Sequence, residues 1–373
     1  MYKNIKKIIS YSLISSSLFS GLAQADLYYS EKIAGPIVNV FSVNKDGVIN
    51  KITDNEMVRD LEHNVSVNGL VSFSSNRKTE HKKADEVARS NKASDYNIYT
   101  IDPVTKQLTQ ITNELTQEQQ PKFSPSGNEL AFLRSSKEQQ SLVIYNLGTK
   151  KERVVATAES IYDYSWSPEG SKIAFTNNTK SSANLVAINV KTLASEILVS
   201  TSINKKDEKL KKLFVAASWS PNGEYVAYIV HPLESKKIRT LNIYNLSNHK
   251  NQLISVEDVQ VQAPITWSKN SKGLLYSGLV DYQQYYDETI HKKVYLGGMH
   301  IFSSDLSGNS KQITKGDHLF KQPIYSPDES SIAYLYADKL NARTLQLKTL
   351  KLDGSSPKTV SKSIFKSGTI QWQ

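Results

Sequence analysis

The chain has no cysteine among its 373 residues and only seven histidines. The absence of cysteine excludes disulfide bonds, thiolate metal ligands, cysteine nucleophiles and lipid attachment to an N-terminal cysteine. The sequence also contains no nucleophile elbow, zinc-protease helix, phosphate-binding loop or EF-hand motif. The histidines have no local ligand spacing, so we predict no catalytic residue, no metal and no cofactor.

The first 25 residues have the pattern of a cleavable export signal. Three lysines precede a mostly apolar stretch over residues 8–22, and Ala23-Gln24-Ala25 supplies a small-residue cleavage site. The alternative, a membrane anchor, needs ~20 apolar residues, and this stretch is shorter and interrupted by serines. We predict cleavage after Ala25, a mature chain of residues 26–373 without a membrane span, and a periplasmic location.

Lysine and arginine outnumber aspartate and glutamate by 46 to 36, which gives a net charge of +10. For an exported protein this excess favours contact with anionic envelope components or acidic partner proteins, and we predict no nucleic-acid partner. A mixed, solvated surface is the alternative interpretation. Charged residues make up 22% and aromatic residues 9% of the chain, a globular composition that argues against disorder.

One short pattern occurs five times. An aromatic residue is followed by serine, in four copies by proline, then by a turn and an apolar strand that ends in an aromatic residue. The copies are PKFSPSGNELAF (121–132), YSWSPEGSKIAF (164–175), ASWSPNGEYVAY (217–228), ITWSKNSKGLLY (265–276) and PIYSPDESSIAY (323–334). Proline fixes φ and glycine tolerates positive φ, so each copy predicts the turn of a β-hairpin between two alternating strands.

Two further strand-like segments follow each hairpin, which predicts four-stranded units repeating about every 50 residues. We predict an all-β fold, a β-propeller of four-stranded blades forming one domain over residues 26–373. Seven blades is the favoured count and six the alternative. Residues 368–373 resemble a first strand and residues 27–53 resemble strands two to four. We therefore predict that pairing of the N- and C-terminal strands closes the ring.

The blade pattern, with its SPSG, SPEG, SPNG and SPDE turns, resembles the WD-like repeats of the TolB-type β-propeller family over residues 26–373. TolB is a periplasmic component of the Tol-Pal envelope system, and its propeller binds the peptidoglycan-associated lipoprotein. The resemblance therefore implies a non-catalytic interaction scaffold. TolB has an α/β domain before its propeller and six blades, whereas this sequence leaves no room for that domain and favours seven. Only the turn motif matches, so no partner-binding residue is carried over.

The long connections of the predicted blades all lie on one face. They join strands two and three of a blade, or one blade to the next, and cover residues 77–95, 201–212 and 279–297. Long loops on a rigid scaffold often carry binding residues, and tyrosine is enriched in interfaces. The candidate partner-binding residues are Tyr282, Tyr285, Tyr286, Lys292, Lys293, Lys205 and Lys206. In the alternative interpretation the tyrosines pack their loop onto the blade rim and the lysines belong to a solvated connection.

We predict a monomeric scaffold that binds an envelope protein, such as a peptidoglycan-associated lipoprotein. The alternative is a carbohydrate-binding or polysaccharide-lyase-type propeller that uses its central channel. Oligogalacturonide lyases are propellers with similar repeats and a histidine cluster, so this alternative requires at least three histidines in the channel, and we predict fewer. Asp163, Asp281 and Asp317 are candidate acids at the channel mouth. The pair Gly297 and Gly298 predicts a strand bulge rather than a phosphate cradle.

Overall fold

The computed structural model describes residues 26–35, 37–54, 58–77, 96–113, 116–203, 209–234 and 237–373. Within these ranges all regular structure is β-strand. No helix in this part of the chain is long and apolar enough to cross a membrane. The predicted signal segment, residues 1–25, lies outside the described residues.

Hydrogen bonding collects the strands into groups of four, which we number along the chain. Group 1 contains β1 (Leu27–Ala34), β2 (Ile37–Val43), β3 (Ile49–Lys51) and β28 (Ile370–Trp372). Group 2 contains β4 (Asp60–Val65), β5 (Val71–Ser75), β6 (Asn97–Ile101) and β7 (Leu108–Gln110). Group 3 contains β8 (Gln117–Phe123), β9 (Glu129–Ser135), β10 (Gln140–Asn146) and β11 (Lys151–Ala158).

The remaining groups follow the same order. Group 4 contains β12 (Tyr164–Trp166), β13 (Lys172–Asn178), β14 (Ser182–Asn189) and β15 (Ser195–Ser202). Group 5 contains β16 (Lys212–Trp219), β17 (Tyr225–Pro232), β18 (Thr240–Asn245) and β19 (Lys250–Leu253). Group 6 contains β20 (Gln260–Trp267), β21 (Gly273–Asp287), β22 (Lys292–Asp305) and β23 (Ser310–Gln312). Group 7 contains β24 (Leu319–Tyr325), β25 (Ser331–Ala337), β26 (Thr344–Lys351) and β27 (Lys358–Phe365).

Neighbouring strands within each group pair antiparallel, so the predicted all-β fold with four-stranded units is confirmed. In group 1 the last strand of the chain pairs with the first, and Leu27 lies opposite Trp372. Groups 2 to 5 are separate sheets, whereas groups 6, 7 and 1 are joined through the single residue pairs Met299–Leu319 and Glu31–Ile364. The number of blades and the closure of a ring stay predictions.

The apolar core lies between neighbouring groups. Leu142 and Ile144 of group 3 pack with Trp166 of group 4, and Ile229 of group 5 packs with Trp267 of group 6. The other clusters of buried apolar side chains in the described residues likewise join consecutive groups, including groups 1 and 2 and groups 7 and 1. Burial contributes about 25 cal/mol per Å² of apolar surface, so these junctions stabilise the stacking of the groups.

Hydrogen bonds tie the first strands of neighbouring groups together. One partner in each bond is the side chain of the residue that directly precedes the aromatic residue of the motif. In group 2, Val65 stands in place of that aromatic residue. The four bonds run from Phe123 N to Asn64 Oδ1 (2.8 Å), from Trp219 N to Ser165 Oγ (3.1 Å), from Thr266 Oγ1 to Pro323 O (2.8 Å) and from Val65 N to Gln371 Oε1 (2.8 Å). One motif position therefore performs the same task at four junctions.

Four first strands contain a β-bulge that the motif does not predict. The bulged residue stands three positions before the end of its strand and has positive φ in each case: Glu62 (53°), Gln120 (55°), Ala216 (56°) and Gln322 (54°). The ladder with the second strand shifts register at each of these points. Left-handed backbone costs a residue with a Cβ about 1 kcal/mol, and bulges of this kind re-aim neighbouring side chains.

Candidate functional site

A long hairpin projects from group 6. Strands β21 and β22 are 15 and 14 residues long, and their outer parts form the segment 281–297, which we call the arm. The sequence predicted a long connection here, and the structure shows a paired hairpin instead. Its cross-strand pairs include Tyr285 with Val294, Tyr286 with Lys293 and Asp287 with Lys292.

A β-bulge lies at the base of the arm. Asp281 and Tyr282 on β21 stand opposite the single residue Gly297 on β22. Gly297 has φ of +80°, and a Cβ on it would lie 2.4 Å from the carbonyl oxygen of Val280. Only glycine fits this position without displacing backbone, so the predicted strand bulge is confirmed.

The arm places its candidate residues on two faces. Successive side chains of a strand point to opposite sides, so Tyr285 and Tyr286 do not share a face. Tyr282 donates a hydrogen bond to Gln284 Oε1 at 3.0 Å and lies on the side of Tyr286 and Lys293. The arm therefore brings the three tyrosines and two lysines close in space without combining them into one patch.

The arm is exposed on both faces. Tyr285 and Tyr286 are 48% and 51% exposed, and Ile290 and Leu296 are exposed as well. The tyrosines therefore do not pack the arm against the rest of group 6. Their contact with a partner stays a prediction.

The other candidate connections are described only in part. Lys205 and Lys206 lie outside the described residues, as do residues 78–95. Arg77, the first residue of the predicted insertion 77–95, is anchored. Its Nη2 lies 2.5 Å from Asp60 Oδ2, and its guanidinium stacks over the rings of Phe73 and Tyr99. Burial raises the pKa of Asp60, and the charge of Arg77 opposes that shift.

Glu62, Gln120, Lys122 and Asp163 form a polar cluster at the first strands of groups 2 to 4. The carboxylate of Glu62 accepts a hydrogen bond from Gln120 N at 2.7 Å, and Lys122 Nζ lies 2.7 Å from Asp163 Oδ1 and 2.6 Å from Tyr164 O. Gln120 Oε1 is buried and has no partner among the described residues. Burial raises the pKa of Glu62, and the Gln120 amide only partly offsets it. Perturbed groups beside a charged partner are typical of binding and catalytic sites.

Group 7 holds a lysine with an unusual environment. Lys321, on the first strand, donates a hydrogen bond from Nζ to the carbonyl of Lys366 at 2.8 Å. Burial, together with the positive charge of Lys366, lowers the pKa of Lys321 to about 8. This group could therefore carry or lose its proton near neutral pH.

The histidines of the described residues are dispersed. His63 is buried between groups 1 and 2, His291 lies at the tip of the arm, and His300 stacks on Phe320 at 5.9 Å between groups 6 and 7. No group of three or more His, Asp or Glu within the described ranges could hold a metal ion. His81 lies outside those ranges.

The three candidate acids occupy different sites. Asp163, directly before the first strand of group 4, pairs with Lys122 of group 3, whereas Asp281 and Asp317 both influence His300. Burial lowers the pKa of His300, and the two carboxylates act against that shift. That the three acids meet at a channel mouth stays a prediction.

The repeated four-stranded antiparallel groups define a β-propeller. The family model of the TolB beta propeller domain matches residues 84–271, half of the chain, and the chain belongs to this family. No curated protein sequence matches the chain significantly.

Solved structures share the fold at low identity. TolB from Acinetobacter baumannii is 11% identical, with a TM-score of 0.50 over 92% of this chain and 82% of that one. An oligogalacturonate lyase solved with manganese is 13% identical, with a TM-score of 0.59 over 91% and 87%. A puromycin-hydrolyzing peptidase from Mycobacterium tuberculosis is 10% identical, with a TM-score of 0.62 over 92% of this chain but only 53% of the peptidase. These likenesses show a common fold and extend to both enzymes and TolB.

The polar cluster of Glu62, Lys122 and Asp163 was not predicted as a unit. Glu62 lies in a first strand whose motif is degraded, VSVNG at residues 65–69, although this turn closes like the others, with Gly69 N donating to Ser66 O at 2.9 Å. A search for the turn without its aromatic residue would have aligned Glu62 with Gln120 and Asp163. That alignment places them at equivalent positions of neighbouring groups.

Proposed function

We propose that this chain is an exported β-propeller that binds a protein of the cell envelope through the arm and the face from which it projects. The observation that carries the proposal is the arm itself, which extends beyond its group with tyrosines on both exposed faces. A two-stranded hairpin alone is at best marginally stable in water, so a partner that packs against it would stabilise it. Tyrosine contributes large contact area and a hydroxyl for hydrogen bonding.

We propose further that groups 1 to 7 are the seven blades of one closed ring. Support comes from the apolar clusters at consecutive junctions and from β28, which pairs with β1 while Gln371 binds Val65 of group 2. A closed ring leaves no sheet edge open between the first and last groups. It gives the arm a rigid base.

The proposals of export and of the kind of partner rest on the sequence and on the family. The first 25 residues have the order of a signal peptide, and the family includes TolB. By the resemblance to TolB, a peptidoglycan-associated lipoprotein is the first partner to test. The non-catalytic role accords with the lack of known catalytic motifs.

Site-specific photo-crosslinking in intact cells tests this function. A photoreactive residue is placed at Tyr285 and, separately, at Tyr286, which sample the two faces of the arm. The matched control is Val154, which is 50% exposed on the outer strand of group 3. We expect one envelope protein to be captured from an arm position and not from Val154. Identical adducts at all three positions, or none at the arm, would contradict the proposal.

A second candidate function is glycan binding at the first strands. The half-buried Glu62 and its neighbours Lys122 and Asp163 are a convergent polar set of the kind that orients ligands, and an oligogalacturonate lyase shares the fold. The described residues supply no metal-ligand group, so no metal-dependent step is assigned. Calorimetry with oligogalacturonides should show binding that Glu62→Gln weakens. Absence of heat with the unmodified protein removes this candidate.

A further inference from the structure

Two groups contain an arginine whose charge is matched by a buried acid. The acid lies in the first strand, five residues before the aromatic residue of the motif or, in group 2, before Val65. In group 2 Asp60 Oδ2 lies 2.5 Å from Arg77 Nη2, and in group 3 Glu118 Oε1 lies 2.7 Å from Arg134 Nε. Both carboxylates are fully buried. Buried charges need such partners, because a charge taken out of water without one costs several kcal/mol.

Arg134 shows how completely a guanidinium can be matched. Its Nη1 and Nη2 donate to the two oxygens of Glu152 at 2.8 Å each, in addition to the bond from Nε to Glu118. The hydrogen bonds to Glu152 raise the pKa of Arg134, although burial opposes that shift. Each nitrogen of this guanidinium therefore has a carboxylate acceptor, the arrangement that gives the strongest hydrogen bonds.

In group 6 a neutral amide occupies the corresponding position of the first strand. Gln262 stands five residues before Trp267, and its Oε1 accepts a hydrogen bond from Arg239 Nη1 at 2.9 Å. Arg239 belongs to group 5, where it directly precedes β18, and its carbonyl oxygen accepts from Val261 N at 3.1 Å. An arginine therefore reaches this position too, but glutamine replaces the acid that would match its charge.

Arg239 is partly buried and has no carboxylate partner among the described residues. Its Nε is buried without an acceptor in that part of the chain. Glu234, an acid of the same connection, pairs with Lys237 at 3.1 Å instead. Burial lowers the pKa of Arg239, and no carboxylate of the described residues opposes that shift. An anion bound from outside would therefore stabilise the guanidinium.

A second buried polar atom near Gln262 also lacks a partner. Ser277 on β21 lies opposite Gln262 in the strand pairing, so the two side chains share a face of the sheet. Ser277 is fully buried, and its Oγ has no hydrogen-bond partner among the described residues. Unsatisfied buried polar groups are uncommon in folded proteins. Two of them around one glutamine indicate a place where a polar ligand completes the hydrogen bonds.

We propose that Arg239 and Gln262, with Ser277 beside them, bind the carboxylate group of a ligand. The carboxylate accepts from the edge of the guanidinium that Gln262 leaves open, as Glu152 accepts from Arg134. It supplies the negative charge that an acid of the chain supplies in groups 2 and 3. A planar, always charged guanidinium is well matched to a carboxylate.

The carboxylate could belong to a small molecule or to an acidic side chain of a bound polypeptide. Arg239 lies in the connection between the second and third strands of group 5, the same kind of connection that forms the arm in group 6. Both sources present the same chemistry to Arg239, so the experiment uses one probe of each kind.

Thermal unfolding of the purified protein measures the binding. The probes are sodium succinate and the blocked tripeptide acetyl-Gly-Glu-Gly-amide, and acetyl-Gly-Gln-Gly-amide is the uncharged control. A ligand that binds only the folded state raises the unfolding temperature in a saturable way, and sodium chloride at equal ionic strength corrects for screening. We expect saturable stabilisation by at least one carboxylate probe, and which probe acts identifies the source. We expect none from the uncharged control.

Substitutions at Arg239 test the assignment. Arg239→Gln should weaken binding about tenfold or more, the value of lost hydrogen bonds to a charged group. Arg239→Lys should recover only part of the affinity, because an ammonium group lacks the planar fork. Lys237→Gln is the matched control, since it removes the same charge from the same connection, and it should bind as the unmodified protein does.

Gln262→Glu gives group 6 the acid that groups 2 and 3 have. It should raise the unfolding temperature, because Arg239 gains a charged partner within the chain, and it should weaken binding of the carboxylate probe about tenfold or more. In a protein that also carries Arg239→Gln, the same substitution should no longer stabilise the fold. This variant does not depend on whether Arg239→Gln folds by itself.

Two results would overturn the proposal. One is the absence of saturable stabilisation of the unmodified protein by both carboxylate probes. The other is a folded Gln262→Glu variant that binds the probes as the unmodified protein does. A failure to capture a partner at the arm leaves this test unaffected, because neither probe requires the arm.

Discussion

Gln371 pairs with the backbone of Val65 through its side chain. Its Oε1 accepts from Val65 N at 2.8 Å, and its Nε2 donates to Val65 O at 3.2 Å. The same residue lies in β28, which pairs with β1. The last strand of the chain therefore holds group 1 and group 2 at once.

Removal of residues 368–373 should lower the thermal unfolding temperature and cause aggregation, because it exposes the edge of β1 and leaves the Val65 backbone unpaired. Light scattering during a thermal melt measures both effects. The milder change Gln371→Ala should cost about 1 to 3 kcal/mol of unfolding free energy. A truncated chain that melts like the full chain would refute closure through β28.

His63 should make the protein less stable in acid. Burial lowers the pKa of His63 to about 4, below the ~6.5 of an unfolded chain. Between these two pKa values His63 is protonated in the unfolded state but not in the folded state, so the unfolding free energy falls as pH drops from 6.5 to 4. The total loss from this group is about 3 kcal/mol.

Urea unfolding at pH 7 and pH 5 measures this dependence. The difference between the two pH values should shrink in His63→Asn, even though the substitution itself lowers stability at both. His291, exposed at the tip of the arm, is the matched control, and His291→Asn should keep the original difference. Equal pH dependence in all three proteins would show that His63 is not the responsible group.

Arg77→Ala should destabilise the fold by about 3 kcal/mol or more, because it leaves the fully buried carboxylate of Asp60 without its charged partner. The exposed pair Lys237–Glu234 is the comparison, and Lys237→Ala should cost at most about 1 kcal/mol. Chemical denaturation measures both. Similar losses of unfolding free energy in the two variants would mean that other groups stabilise the Asp60 carboxylate when Arg77 is absent.

Gly297→Ala should destabilise the base of the arm more than Gly47→Ala destabilises its turn. Both glycines have φ near +80°, but a Cβ on Gly47 meets nothing within 4 Å, whereas one on Gly297 would collide with the Val280 carbonyl. The conformational cost, about 1 kcal/mol, is common to both variants. The difference in thermal unfolding temperature between the two variants therefore measures the effect of the collision with Val280. Equal unfolding temperatures would mean that the base of the arm accommodates the added methyl group.

The repeated motif was enough to predict the four-stranded units, because Ser-Pro-x-Gly constrains the backbone locally. The pairing of the two chain ends in group 1 was predicted from the strand-like patterns of residues 27–53 and 368–373. Group 2 was harder, since Val65 replaces the aromatic residue and proline is absent from its turn. The bulges at Glu62 and Gln120 could not be predicted. Nothing local favours positive φ there, and the conformation is held by bonds between groups, such as that from Gln120 N to Glu62.

The arm was likewise predicted only in part from the sequence. Its residues had the composition of an interface loop, but the sequence did not distinguish a loop from a hairpin, and it did not show that Tyr285 and Tyr286 point to opposite faces. Pairing with Val294 and Lys293 decided that. The register depends on a bulge at Gly297 whose geometry involves the carbonyl of Val280 on the other strand.

By itself the sequence determined the repeated strands and turns of the motif, the apolar pattern and the family, since each depends on residues close together in the chain. Only the tertiary structure decided which polar side chains meet. Glu62 with Gln120, Lys122 with Asp163, and Gln371 with Val65 are relationships between groups of strands. They arise from how neighbouring four-stranded sheets stack and where the two ends of the chain come together, and short-range residue preferences do not encode such distances.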